Sequence, residues 1–243
     1  MDAISTTNLT KTYGNTVAVD RLNLQIRQGE LFALLGVNGA GKTTTIKTLS
    51  CLTKPTAGDA FLGGRSVSRQ PAAVKKMIAV SPQETAVAKG LSVEENLELM
   101  CGVHGFSRDT FGAKIAEISA LLGLTPVLKS RAKTLSGGML RRLSIAMALI
   151  SDPEILFLDE PTLGLDVLAR SDLWDLIRKL KGRVTIILTT HYMEEAQALS
   201  DRIGILKDGR LLACGTADEL KKAAGTEDFE QAFVRIVKGV QEC

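Results

Sequence analysis

Residues 31–46 read Leu31-Phe32-Ala33-Leu34-Leu35-Gly36-Val37-Asn38-Gly39-Ala40-Gly41-Lys42-Thr43-Thr44-Thr45-Ile46. The apolar run from Leu31 to Leu35 reads as a buried strand, and the residues after Lys42 read as the first turns of a helix. Between them, Gly36 to Thr43 fits the pattern G-x-x-x-x-G-K-[ST] of a phosphate-binding loop. Glycines let the backbone curl until its N–H groups converge on phosphate oxygens. The helix N-terminus adds partial positive charge at the same place. Lys42 has the reach for β- and γ-phosphates, and the Thr43 hydroxyl suits Mg²⁺. The competing explanation is a glycine-rich turn, which the strand–loop–helix context disfavours.

Composition sets the frame around this loop. The chain has 243 residues, 45% hydrophobic and 23% charged, ordinary for a soluble globular protein of one large domain or two lobes. A net charge of +3 is too small and too dispersed for a nucleic-acid binder. The pairs Lys75-Lys76, Arg141-Arg142 and Lys221-Lys222 read as solvated helix faces. No apolar run approaches a membrane span, and Met1-Asp2-Ala3-Ile4 does not open a signal peptide. Cys51, Cys101, Cys214 and Cys243 make no metal-ligand spacing and read as buried or idle thiols in a reducing cytosol.

The first third reads as strands: Ile4–Asn8, Val17–Val19, Leu22–Ile26 and Leu31–Leu35, with Gly14-Asn15 and Gln28-Gly29 as turns. Further strands are expected at Ala60–Leu62 and Ile78–Val80. The middle is helical. Ser92-Val93-Glu94-Glu95 fits a capping box. Phe111, Ile115, Ile118, Leu121 and Leu122 recur at helical spacing, and a third helix is expected from about Gly138 to Ile150. Ile155–Leu158 and Val184–Thr189 then read as buried strands flanking a helix from Val167 to Lys181. Ile203–Leu206 and Leu211–Cys214 form a hairpin on Asp208-Gly209. Thr216–Glu219 caps another helix, and Phe229–Val237 forms a last one. Strands alternating with helices predict an α/β fold with a largely parallel sheet, an N-terminal antiparallel β part and an inserted helical lobe. The expected organisation is a single domain over 1–243: a core lobe at about 1–87 and 151–220, a helical lobe at about 88–150 and a helical tail at about 221–243.

The strand Ile155-Leu156-Phe157-Leu158 ends in Asp159-Glu160, which puts two carboxylates at the C-terminal edge where open α/β sheets bind ligands. Asp159 suits a Mg²⁺ shell and Glu160 a base that orients or deprotonates water. Leu135-Ser136-Gly137-Gly138-Met139 opens a helix and is either a second anion site or an ordinary helix cap.

In chain order, the loop at Gly36–Thr43, then Gln83, Leu135-Ser136-Gly137-Gly138, Asp159-Glu160-Pro161, Gly164-Leu165-Asp166 and His191 closely resembles the ATP-binding cassette (ABC) ATPases, from Tyr13 to about Gly215. The resemblance implies a RecA-like P-loop NTPase core and hydrolysis of Mg·ATP. It implies that Tyr13 stacks on adenine, and that Gly36, Asn38, Gly39, Ala40, Gly41, Lys42, Thr43 and Thr44 hold the phosphates. Thr43, Gln83 and Asp159 manage Mg²⁺, Gln83 sitting at the joint between the lobes. Glu160 is the catalytic base, and His191 contacts the γ-phosphate. Asp166 couples two ATP sites, a helix N-cap being its plainer role. His104 matches nothing.

The resemblance further implies two nucleotide-binding domains facing head to tail, each ATP lying between one loop and the partner's Ser136, Gly137 and Gly138. Both half-sites are complete in this chain, which fits a homodimer. A motor of this kind would sit on the cytoplasmic face of a membrane, with a separate multi-spanning permease contacted near Gln83. Met139 stands where many members carry Gln. With Leu140-Arg141-Arg142-Leu143 and the tail Phe229-Glu230-Gln231-Ala232-Phe233, it resembles the branch that exports drugs and other small molecules or lipids. The alternative within the family is an ATPase that regulates or assembles a soluble or cell-envelope partner. A GTPase is disfavoured by the lack of an Asn-Lys-x-Asp motif.

Overall fold

A computed structural model describes residues 2–239; Cys243 and the end of the expected tail lie outside the described residues. The chain opens with β1 (Asp2–Tyr13), β2 (Thr16–Leu22), β3 (Gln25–Arg27) and β4 (Leu31–Leu35), followed by helix α1 (Lys42–Leu49). Next come β5 (Ala57–Leu62), β6 (Arg65–Ser66), α2 (Pro71–Lys75) and β7 (Ile78–Ser81). Three helices follow: α3 (Val93–Val103), α4 (Arg108–Leu121) and α5 (Gly137–Leu149). The chain then alternates through β8 (Ile155–Asp159), α6 (Val167–Leu180), β9 (Thr185–Thr190) and α7 (Met193–Leu199). It closes with β10 (Arg202–Lys207), β11 (Arg210–Gly215), α8 (Ala217–Ala223) and α9 (Phe229–Lys238).

Two sheets result. One has the order β11-β10-β4-β9-β8-β7, parallel except for the antiparallel edge hairpin β10–β11. The other is antiparallel, β2-β1-β5-β6, with β3 also paired to β1. The fold is therefore the expected P-loop NTPase architecture, with an antiparallel part beside a parallel core.

The parallel strands are apolar throughout because both faces are covered. On β4, Phe32 and Leu34 point into the core shared with the antiparallel sheet and α1. Ala33 and Leu35 join Phe229 and Phe233 of α9, while Leu31 joins the core under α3 to α6. Each of these leucine and phenylalanine side chains contributes about 1.5–3 kcal/mol by leaving water.

Three departures from the sequence reading have local causes. The strand expected over Leu22–Ile26 is broken, because Thr6 Oγ1 donates to the Leu22 carbonyl and accepts from Leu24 N–H, both at 2.8 Å. Those bonds replace a ladder rung, and Arg21 turns left-handed beside them (φ 46°). The short helices α2 and α7 were not expected, since five and seven residues are too few to show a helical period. Arg141 is not on a solvated face: it is 6% exposed, whereas Lys75 and Lys76 are exposed as expected. The capping boxes on Ser92 and Thr216 are both present. Among the described cysteines, all free, Cys101 is buried, Cys51 half-buried and Cys214 exposed.

Candidate functional site: a phosphate-loop cavity at the C-terminal edge of the parallel sheet

Four adjacent strands deliver the site. β4 runs into the loop at Gly36, β9 ends before His191, β8 ends at Asp159 and β7 ends two residues before Gln83. Parallel neighbours end on the same side, so groups more than a hundred residues apart in sequence meet at one edge.

The loop is held from behind by backbone. A Cβ at Gly41 would lie 2.3 Å from the Ala18 carbonyl oxygen, and Gly41 has φ 100°, so a side chain is excluded twice. The turn of the β10–β11 hairpin braces the same loop, Gly209 N–H donating to the Ala40 carbonyl at 3.1 Å. α1 starts on Gly41 with no side-chain cap, which leaves its first N–H groups for a ligand.

A cavity of about 330 Å³ opens above this helix start. Its wall includes Asn38, Gly39, Ala40, Gly41, Lys42, Thr43, Thr44, Gln83, Glu160 and His191, all singled out in the sequence, together with Ala18 and Leu163, which were not. Lys42 Nζ donates to the carbonyls of Gly36 (2.7 Å) and Val37 (3.2 Å) and lies 3.2 Å from Glu160 Oε1. Glu160 Oε2 is 2.7 Å from His191 Nδ1. Lys42 and Glu160 are each 6% exposed, so their charges are compensated by each other rather than by water.

Glu160 itself adopts φ 49°, a left-handed conformation that costs a non-glycine residue on the order of 1 kcal/mol. Its N–H is anchored on the Thr189 carbonyl (3.1 Å) and Oγ1 (3.0 Å). The same Thr189 hydroxyl donates to Asp159 Oδ1 at 2.5 Å, and Thr43 Oγ1 donates to that oxygen at 3.2 Å. A hydroxyl and a carboxylate side by side are hard oxygen donors. Among the described residues no cluster of three or more His, Cys, Asp or Glu could hold a metal alone. Mg²⁺ commonly takes only one or two protein carboxylates and completes its shell with water and substrate phosphates, so Thr43 and Asp159 fit it.

Other residues stand elsewhere. Gly36 is buried beneath the loop, where a Cβ would meet the Leu206 carbonyl at 2.5 Å. Tyr13, 48% exposed, is outside the cavity wall, with Lys11 Nζ 4.8 Å from its ring centre. Ser136 and Gly137 are exposed at the start of α5 and are not in the cavity wall of their own chain. Ser136 Oγ accepts from Met139 N–H at 3.2 Å, so the helix-cap reading holds. Gly138 is buried, and a Cβ there would sit 3.1 Å from the Ala169 side chain, so it also lets α5 and α6 approach. Asp166 caps α6, Oδ1 accepting from Ala169 N–H at 2.9 Å. His104 is exposed at the end of α3.

Two supporting residues escaped the sequence reading. Arg141 reaches from α5 and donates to the carbonyls of Pro82 and Gln83, both at 2.7 Å. Burial pushes its guanidinium below the usual range, opposed by the charges of Asp159 and Glu195. Glu195, fully buried in α7, accepts from Trp174 Nε1 at 3.1 Å. A double-arginine stretch gives no sign that one member turns inward. A glutamate in a short helix after His191 gives no sign that it is buried.

Comparison with known proteins agrees with this geometry. Residues 19–163 match the family model described as ABC transporter. Over 226 residues the chain is 44% identical to the doxorubicin resistance ATP-binding protein DrrA of Mycobacterium tuberculosis, covering 92% of this chain and 68% of that protein. It is 42% identical over 225 residues to the daunorubicin/doxorubicin resistance ATP-binding protein DrrA of Streptomyces peucetius, with the same coverage of 92% and 68%. It is also 41% identical over 208 residues to the phospholipid-transporting ATPase ABCA3 of Homo sapiens, covering 86% of this chain and 12% of that protein. A solved ATP-binding subunit of an ABC transporter superposes with a TM-score of 0.84 at 28% identity, covering 96% of this chain and 99% of that one.

Proposed function

Because this chain belongs to the ABC transporter family, we propose that it is the ATP-hydrolysing motor subunit of an exporter of drugs or other small molecules or lipids. It works as an ATP-sandwiched dimer on separate membrane subunits. ATP binding and ATPase activity follow from the family. The cargo class rests on the drug-resistance relatives, which favour transport over a regulatory role. Among the described residues no helix is long and apolar enough to cross a membrane, so the passage belongs to a partner on this reading.

One observation carries the chemistry: Glu160 is held between Lys42 at 3.2 Å and His191 at 2.7 Å on the wall of the phosphate-loop cavity. Lys42 and the loop N–H groups bind the β- and γ-phosphates, and Tyr13 stacks on adenine. The phosphates compete with Glu160 for Lys42 and leave its carboxylate facing the attacking water. Water adds to the γ-phosphorus as the bond to the β–γ bridging oxygen breaks. Its proton passes to Glu160, and ADP leaves with the electron pair of the broken bond. His191 keeps Glu160 aimed and contacts the γ-phosphate, while Gln83 orients the water. Thr43 and Asp159 would hold Mg²⁺, which when bound neutralises charge on the phosphate oxygens.

Ser136 and Gly137 are exposed and do not line their own chain's cavity, which supports the reading that they, with Gly138, complete the site of a second copy. The lobes at about 1–87 with 151–220 and at about 88–150 then close on ATP, and Asp166 lies between the two sites. A permease gripping the surface near Gln83 feels that closure as force. The test is Glu160→Gln in full-length protein with Mg·ATP. Retained ATP binding, hydrolysis reduced by about a thousandfold and accumulation of a dimer are expected. A variant that binds ATP normally yet remains monomeric overturns the sandwich. Mild-detergent pull-down from native cells that yields no multi-spanning protein overturns the transporter assignment.

A further inference from the structure

A second buried carboxyl lies behind the Glu160–His191 pair. Glu195 is fully buried in α7. Its Oε1 accepts from the Trp174 indole of α6 at 3.1 Å, but Oε2 is buried with no hydrogen-bond partner. The hydroxyls of Thr190 and Thr162 face the same carboxyl. Thr190 Oγ1 already accepts from Tyr192 N–H at 2.9 Å, which leaves its proton for Glu195. Thr162 is fully buried, and its Oγ1 is likewise without a partner. A carboxyl oxygen and a hydroxyl, both buried and both without a partner, complement each other as acceptor and donor. Leaving a buried polar atom unpaired is costly, so two that complement each other ask for an explanation.

Their position supplies it. Thr162 lies two residues beyond Glu160, and Thr190 lies one residue before His191. We propose that Glu195 is a positioning residue for ATP hydrolysis: through Thr162 and Thr190 its carboxyl clamps the chain after Glu160 to the strand end that carries His191. The proposal rests on the ATPase reading above. Burial holds the Glu195 proton above the usual carboxylate range, helped by the charge of Glu160 and opposed by Thr190, Thr162 and Trp174. A charged Glu195 would set a second negative charge behind Glu160, which acts in the same direction as burial.

The charged neighbours are few. The end of β8 brings Glu160, α5 brings Arg141, and the turn before α7 brings His191. α6 brings Arg170, whose Nε is buried without a hydrogen-bond partner and whose guanidinium lies 4.7 Å from the Tyr192 ring centre and 3.9 Å from Glu194 of α7, and Arg178, which donates to the Ala198 carbonyl of α7 at 3.4 Å and pairs with Asp175. β4 brings no titratable group, and α9 meets its neighbouring core with Phe229 and Phe233, its Glu230 being exposed.

Trp174 is the chain's single tryptophan, so its emission reports directly on this carboxyl. The experiment titrates the fluorescence of the full chain from about pH 4 to about pH 9 and measures kcat and KM for Mg·ATP. A transition above the usual carboxylate range is expected in the wild type and in His191→Gln, and none in Glu195→Gln. Thr162→Val and Glu195→Ala should lower kcat by about tenfold with KM unchanged, and Glu195→Gln, neutral and of the same shape, should restore most of it. A transition that survives Glu195→Gln overturns the proposal. So does a folded Thr162→Val protein with wild-type kcat, since removal of an idle buried hydroxyl would only stabilise. A wild-type chain that hydrolyses no ATP instead overturns the ATPase reading on which the proposal stands.

Discussion

α1 and α5 both begin on glycines, and their first turns have opposite fates. At α1 the helix start is sunk beside a cavity, Lys42 is 6% exposed, and no side chain caps the N-terminus. At α5 the start is on the surface and Ser136 caps it from within the chain. One helix start is built to receive an anion from its own chain's cavity. The other is satisfied alone and gains a ligand only if something docks on it. The same local chemistry is thus set beside a cavity in one place and on the open surface in the other, and the difference lies in what the fold packs around each.

Mutations can set the two apart. Lys42→Ala removes the buried cation and leaves Glu160 with only His191 beside it; ATP binding and hydrolysis should fall by about a thousandfold or more, measured by nucleotide titration and phosphate release. Ser136→Glu should leave monomer ATP binding within about twofold while hydrolysis falls by about a hundredfold, because a carboxylate there repels phosphate. Equal loss of binding in both variants would erase the contrast. Arg141→Met strips the Pro82 and Gln83 carbonyls of their donors at 2.7 Å; about 2 kcal/mol of stability should go, read by urea unfolding, with a lower kcat.

The smallest effect concerns Glu195. Its folded pKa is raised above the unfolded value by burial, so the stability it supports is present at acid pH and declines as pH rises through the folded pKa. Glu195→Gln does not titrate, so its melting temperature should gain on the wild type by a few degrees as pH rises above the ordinary glutamate range. A gap that stays constant with pH would mean that Glu195 is already ionised in the folded protein.

Most of the site could be read from sequence because it is built from strand ends. An apolar run followed by Gly36 to Thr43, or by Asp159-Glu160, tells both where the strand is and where its chemistry sits. The broken strand at Leu22 could not be read, since the Thr6 hydroxyl that interrupts it comes from another strand. Nor could Thr189, which ties Asp159 to the backbone of Glu160 but reads as one more residue of an apolar strand.

Sequence alone determined the class of fold, most of its strands and longer helices, and the glycine-rich loop and strand-end carboxylates that meet at one edge of the sheet, because motif and periodicity are local properties of the chain. Tertiary structure alone decided which charges are buried and what they face. Lys42 against Glu160, Arg141 under the Gln83 segment and Glu195 beside Trp174 each join elements far apart in the chain. Burial of charge depends on packing from several elements at once, and that sum is not written at any one position of the sequence.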